Sequence, residues 1–173
     1  MTTSDSNLNS PPPNMSIADE LVQMGERDQE MRNSQEWDAE VDIRNTQRLK
    51  QIIGEIGWPS ISKVGREAAN YAWLLAQHAD HDVAFQRDCL HLMQHLMSDV
   101  DATTVAYLED RVRVNEGRPQ LYGTQYYEDE QGVFGPRPIE QPDEVDERRR
   151  AVGLEPLAEY DRAMRQLQEE MGD

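Results

Sequence analysis

Apolar residues return every three or four positions in five successive segments, the spacing that places them on one face of an α-helix. The first begins after Ser16, a suitable N-cap, and carries Ile17, Leu21 and Met24. Gly25 and the charges after it predict a weakly anchored helix over about 15–35, ending near Asn33. The second runs from about Trp37 to Ile56 on Val41, Leu49, Ile52, Ile53 and Ile56, and Gly57 stops it. Pro59 disfavours helical geometry at Trp58, while Ser60 and Ser62 offer capping oxygens, so GWPSIS at 57–62 reads as an ordered corner. A third helix, about Lys63 to Asp80, aligns Val64, Ala68, Tyr71, Leu75 and His78, with four alanines that let a neighbour approach closely. Asp80 or Asp82 can cap a fourth that reaches Met97 on Phe85, Cys89, Leu92, Met93 and Leu96. The short HADHD hinge makes helices three and four antiparallel neighbours or one bent helix. A fifth, about Ala102 to Asn115, buries Val105, Leu108 and Val112 before Gly117.

Beyond Gly117 the period changes. Leu121-Tyr122 and Gln125-Tyr126-Tyr127, then Val133-Phe134 after Gly132, predict a short β-hairpin or extended excursion near residues 120–138. Prolines 136, 138 and 142 carry the chain to two last helices, about Asp143 to Val152 and Pro156 to Met171, separated by Gly153. The fold class expected is mainly α: a single-domain helical bundle over 36–173 with a short β excursion.

Length and charge narrow the functions. At 173 residues the chain can form one domain with a core, and residues 1–14, rich in Ser, Asn and Pro, read as a disordered tail. Asp and Glu outnumber Lys and Arg 34 to 17, a net charge of −17, which repels nucleic acid and anionic membrane surfaces but suits a basic partner. A single cysteine, Cys89, excludes an internal disulfide. No apolar run is long enough to cross a bilayer, and the first residues lack the features of a signal peptide, so a cytoplasmic location is expected.

Candidate chemistry concentrates in the segment Ala106 to Gln125, where Asp110, Arg111, Arg113, Gln120, Tyr122, Thr124 and Gln125 cluster around a helix end. It holds no nucleophile–base pair, phosphate loop or metal quartet, so binding is better supported than a reaction, and whether the protein is an enzyme stays open. Asp110 and Arg111, neighbours on a helix, face different directions, and Arg111 reads as a clamp for an anion or carboxylate, or else as a surface ion pair. Gly123 allows a turn that brings Gln120, Tyr122 and Gln125 back toward the helix end, as a binding surface or as a turn satisfying itself. His78 lies on an apolar stripe at a helix end, where Asp80, His81 or Asp82 can fix its tautomer. It is a candidate general base, or a core histidine bonded to a backbone carbonyl. His91 and His95 have zinc-chelating spacing but supply only two ligands and lie on the flank opposite Phe85 and Leu96, so a solvated pair is expected, with no metal and no cofactor. Cys89 and His91 point to different faces. Of the consecutive arginines 148–150, Arg148 or Arg149 should pack back on the acidic body.

Together, GWPSISKVG at 57–65, QHAD at 77–80, FQ at 85–86, AYLEDRVRVNEG at 106–117, QLYGTQ at 120–125 and RRRAVGLEPLAEY at 148–160 resemble an uncharacterised bacterial helical domain family. The resemblance covers about residues 40–160, leaves the first 35 residues as a private extension, and implies that His78, Gln86, Asp110, Arg111, Gln120, Tyr122 and Gln125 share one site. Two functions follow. One is a polar pocket for a small polar or anionic ligand, extending to hydrolytic or transfer chemistry based on His78. The other is an acidic interaction module, inhibitor or immunity-like, for a basic protein partner.

Overall fold

The computed structural model describes residues 15–34 and 38–172. The expected tail at 1–14 and the expected helix start at Trp37 lie outside these. Among the described residues the chain forms one mainly α domain of eight helices and a two-stranded hairpin. The helices are α1 (Ile17–Asn33), α2 (Ala39–Ile56), α3 (Ile61–Val64), α4 (Arg66–Gln77), α5 (Val83–Gln94), α6 (Ala102–Asn115), α7 (Val145–Ala151) and α8 (Leu157–Gly172). None is long and apolar enough to cross a membrane.

The caps explain the boundaries. Ser16 accepts the Asp19 N–H, Asp82 accepts that of Phe85, and Asp101 that of Thr103, each satisfying a donor with no partner inside its helix. Gly57, at φ 73°, ends α2. The expected third helix is divided at Gly65, whose φ of 84° no helix accommodates, so GWPSIS leads into the short α3 before α4 begins. The α3 N-terminus is capped from outside, since Asp99 accepts both the Ser62 N–H at 2.8 Å and its hydroxyl at 2.6 Å.

Helix α4 is the hub, touching α1, α2, α3, α5 and α6. Leu21, Leu49, Ile52, Trp58, Leu75, Met93, Leu108 and Val112 close the core around its alanine face. The weak anchoring expected of α1 is corrected here. Leu21 is fully buried, and Gly25 is the point of closest approach, because a Cβ there would lie 1.9 Å from the Tyr71 ring. The missing side chain that suggested weakness is what lets α1 lie down on α4. Glu20 is also buried and accepts Arg48 Nε at 2.5 Å, tying α1 to α2.

Past α6, strands β1 (Tyr126–Glu128) and β2 (Phe134–Pro136) pair antiparallel, with Tyr127 opposite Gly135, and turn at Gly132. A parallel bridge from Gln120 to Ile139 closes the base of this excursion. Tyr126, Phe134, Tyr160, Tyr107 and Trp73 then form a line of ring contacts that joins the hairpin to α8, α6 and α4.

Gly25→Ala should lower stability by about 2 kcal/mol through overpacking against Tyr71, despite alanine's better helix propensity. Urea unfolding giving a variant as stable as the parent would contradict this packing.

Candidate functional site

The site grows from the end of α4. His78 closes that helix, donating its N–H to the Leu74 carbonyl at 3.0 Å, and Asp80 and His81 occupy the exposed turn before α5. Carbonyls freed at a helix end need donors. Gln86, fully buried one turn into α5, supplies them: its Nε2 donates to the carbonyls of Ala76 at 3.2 Å and Gln77 at 3.1 Å, and to Asp80 Oδ1 at 3.1 Å. Asn115, at the end of α6, donates to both Asp80 Oδ1 and Gln86 Oε1 at 2.8 Å.

Arg111, one turn earlier on α6, grips Asp80 with two N–H groups, Nε at 2.9 Å and Nη2 on the second oxygen, while its Nη1 donates to Gln125 Oε1 at 3.0 Å. Burial raises the Asp80 carboxyl, but the hydrogen bond and charge of Arg111, helped by Asn115 and Gln86, outweigh it and hold Asp80 below the ordinary aspartate value.

Gln125 is delivered by the QLYGTQ loop, and Asp110 and Gln120 build that loop. Asp110 is fully buried and accepts the backbone N–H groups of Leu121 at 2.7 Å, Tyr122 at 3.0 Å and Thr124 at 2.9 Å, with the Thr124 hydroxyl at 2.9 Å. Burial pushes this carboxyl above its usual range, opposed by those N–H groups. Gln120, also fully buried, accepts the Gln125 N–H at 2.8 Å and donates to the carbonyls of Gln125 and Arg137. Gly123, at φ 72°, leaves room for Leu157 and Ile139, which a Cβ would meet within 3 Å. Arg148 and Arg149 both fold back, chiefly onto carbonyls, and each also pairs with an acidic side chain, Arg148 with Glu144 at 3.8 Å and Arg149 with Glu155 at 3.9 Å. Arg148 donates to Leu121 and Glu140, and the fully buried Arg149 to Tyr122 and Glu155.

On the other side, His78 meets α1. Its Nδ1 lies 2.8 Å from Oδ2 of Asp28, a fully buried carboxylate, and Arg32 Nε donates toward both the same oxygen at 3.2 Å and the ring nitrogen at 3.0 Å. Arg32 Nη2 donates to Asp42 at 2.7 Å. The partner that orients His78 is therefore Asp28, not Asp80, His81 or Asp82 as the sequence suggested. Burial raises the Asp28 carboxyl, yet His78 and Arg32 hold it below the ordinary value. These two walls enclose a cleft of about 340 Å³, within the range of small-molecule sites, with Arg32, Asp42 and His78 facing Asp80, His81 and Arg111 over Ala39 and Ile43. A groove of about 420 Å³ between α2 and α5 is lined by Ile53, Phe85 and Leu92 together with Asp88 and the Lys50–Asp82 ion pair.

Of the seven residues expected to share a site, His78 and Arg111 line the cleft. Gln125 and Gln86 stand behind Arg111 and Asp80 and position them. Asp110 and Gln120 do not reach it; their polar atoms are spent on the loop. Tyr122 is half-buried and contributes its N–H and carbonyl to the same bonds, and burial raises its phenol. His91 and His95 are exposed. Cys89 is buried away from the cleft, and burial pushes its thiol up.

Sequence reasoning missed Asp28, Arg32, Asp42 and Asn115. A signal existed on α1, since Leu21, Gly25, Asp28 and Arg32 fall at four-three-four spacing on one face, an apolar stripe turning charged where the cleft begins.

A family model described as a family of unknown function, DUF6624, matches residues 15–171. The chain belongs to this family. The match begins at α1, so the first helix is part of the DUF6624 domain and not a private extension. No curated protein and no solved structure matches the chain.

Asp110→Ala in this DUF6624 protein should cost about 3 kcal/mol or more, because three loop N–H groups lose their acceptor, whereas Arg111→Ala, at a half-exposed ion pair, should cost less than about 1 kcal/mol. Equal losses in urea titration would refute this division of roles. Because Asp28 is held low in the folded chain, its contribution is present above about pH 4, the unfolded aspartate range, and is lost as pH falls through the folded value. Asp28→Asn should therefore flatten the acid limb of stability against pH. An unchanged limb would show that Asp28 is not the group responsible.

Proposed function

We propose that the protein binds a small polar molecule in the cleft at the α4–α5 turn and that His78 acts on it as a general base in hydrolysis or group transfer. The observation that carries this is the contact of His78 with Asp28 at the edge of the cleft. An ionised carboxylate only accepts, so Asp28, at 2.8 Å, favours the tautomer with hydrogen on Nδ1 and leaves the Nε2 lone pair for a proton from substrate or water; Arg32 Nε, 3.0 Å from the same Nδ1, favours the reverse, but it has Asp28 Oδ2 at 3.2 Å as its other acceptor. With Cys89 buried elsewhere, the attacking group in this reading is water. Nε2 takes its proton as oxygen bonds to the electrophilic centre, Asp28 stabilises the imidazolium, and the proton returns to the leaving group. Arg111, set by Asp80 and Gln125, has one remaining N–H on Nη1 with which to hold the substrate oxygen.

A second reading, binding of a basic protein by the acidic surface, rests on the net charge of −17. It requires association that weakens steeply with salt.

Nitrogen-15 spectra of the histidine rings test the first reading directly. Neutral His78 should be protonated on Nδ1 and bare on Nε2, and the reverse tautomer would end its candidacy as the base. In a thermal-shift screen against metabolites, a stabilising ligand should lose its effect in Arg111→Ala while that variant keeps its helix content.

A further inference from the structure

We infer that the molecule this cleft accepts carries a protonated amino group beside a carbonyl or carboxylate oxygen, and that phosphate-like anions are excluded. The inference rests on the reading of the cleft as a ligand site and assigns its substrate class. An arginine that captures phosphate presents two parallel N–H groups of its fork. Here the Nε–Nη2 edge of each guanidinium is already engaged by carboxylates of the chain. Arg111 gives Nε and Nη2 to Asp80, and its Nη1 serves Gln125. Arg32 gives Nε to Asp28 and Nη2 to Asp42.

The acceptors are less occupied. Among the described residues Asp42 uses Oδ1 for Arg32 and nothing engages its Oδ2, while Asp80 collects three donors on Oδ1 and a single one on Oδ2. His78 Nε2 adds a third acceptor under the tautomer that Asp28 favours. Asp28, Asp42 and Asp80 set three carboxylates against the two guanidiniums, so nothing local offsets the field of a chain at −17. A cation with N–H groups to donate matches this lining. A dianion meets repulsion from the whole molecule and no free Nε–Nη2 edge.

The test uses the intact chain, with glycinamide, at a pH where its amine is protonated, and inorganic phosphate as probes at matched ionic strength, read by the ring signals of His78 and His81. Glycinamide in the millimolar range should move both signals saturably and phosphate should leave them in place. Asp42→Asn, checked for folding by circular dichroism, should weaken glycinamide about tenfold or more. The comparison of the two probes on the unaltered protein stands even if that variant does not fold. Saturable binding of phosphate without glycinamide would overturn the inference while leaving the cleft a ligand site. Binding of neither probe, or glycinamide affinity indifferent to Asp42→Asn, would overturn it as well. The role of His78 as base fails on its tautomer alone, so the two failures are distinguishable.

Discussion

Asp110 has no contact with solvent, and both of its oxygens are filled by donors from residues 121–124. A buried carboxylate is tolerated only when its acceptors are satisfied, so the loop must take the shape that points those N–H groups inward. Two of the loop's carbonyls point the other way, where Arg148 and Arg149 donate to those of Leu121 and Tyr122. An acid inside and two bases outside thus account for the backbone polarity of a segment with no regular structure of its own. Gln125 emerges from this arrangement already aimed at Arg111, and Arg111 at Asp80. The geometry of one wall of the cleft is inherited, bond by bond, from a carboxylate that never reaches it.

The same wall is held at its other end by similar logic. Gln86 takes the carbonyls that α4 leaves open at its C-terminus, and so fixes the turn on which Asp80 and His81 sit. Side chain-to-backbone bonds position this wall, ion pairs among Asp28, Arg32, Asp42 and His78 hold the one facing it, and apolar packing of α1 and α6 on α4 sets the distance between them. Such bonds are directional, and in a poorly solvated setting they hold groups to a tighter geometry than packing alone. The shift from apolar core to polar network occurs where α4 ends.

The helical elements were legible because their signals are local: Ser16 caps α1 as its position suggests, Asp82, one of the two aspartates offered, caps α5, and α6 runs over the expected residues on the Val105, Leu108 and Val112 stripe before Gly117. The break at Gly65 was not, since one glycine in a helical pattern reads as tolerated until its backbone angle is known. At the site, Arg111 and His78 were legible as polar residues at element ends. Their partners were not, because Asp28 is 50 residues from His78 and Asp80 is 31 from Arg111, and nothing in the local sequence of one names the other. Gly25 misled for the same reason. A glycine that weakens a helix in isolation strengthens its docking once Tyr71 lies across it.

His78 is held differently from the other buried polar residues. Asp110 and Gln120 use their polar side-chain atoms within the chain, as expected of groups whose role is to fold it. His78 is oriented through Nδ1 alone and stays partly exposed, with its other nitrogen unengaged among the described residues. The means of orienting it is also costly, because Asp28 is an ionised group with no solvent access, and apolar residues of similar size would pack there at least as favourably. Arg32 is drawn in to offset that charge, and Asp42 to share Arg32. A four-residue charged assembly that ends in one half-satisfied imidazole beside a cleft is poorly explained by stability, and it is the arrangement that the proposed role of His78 as proton acceptor requires.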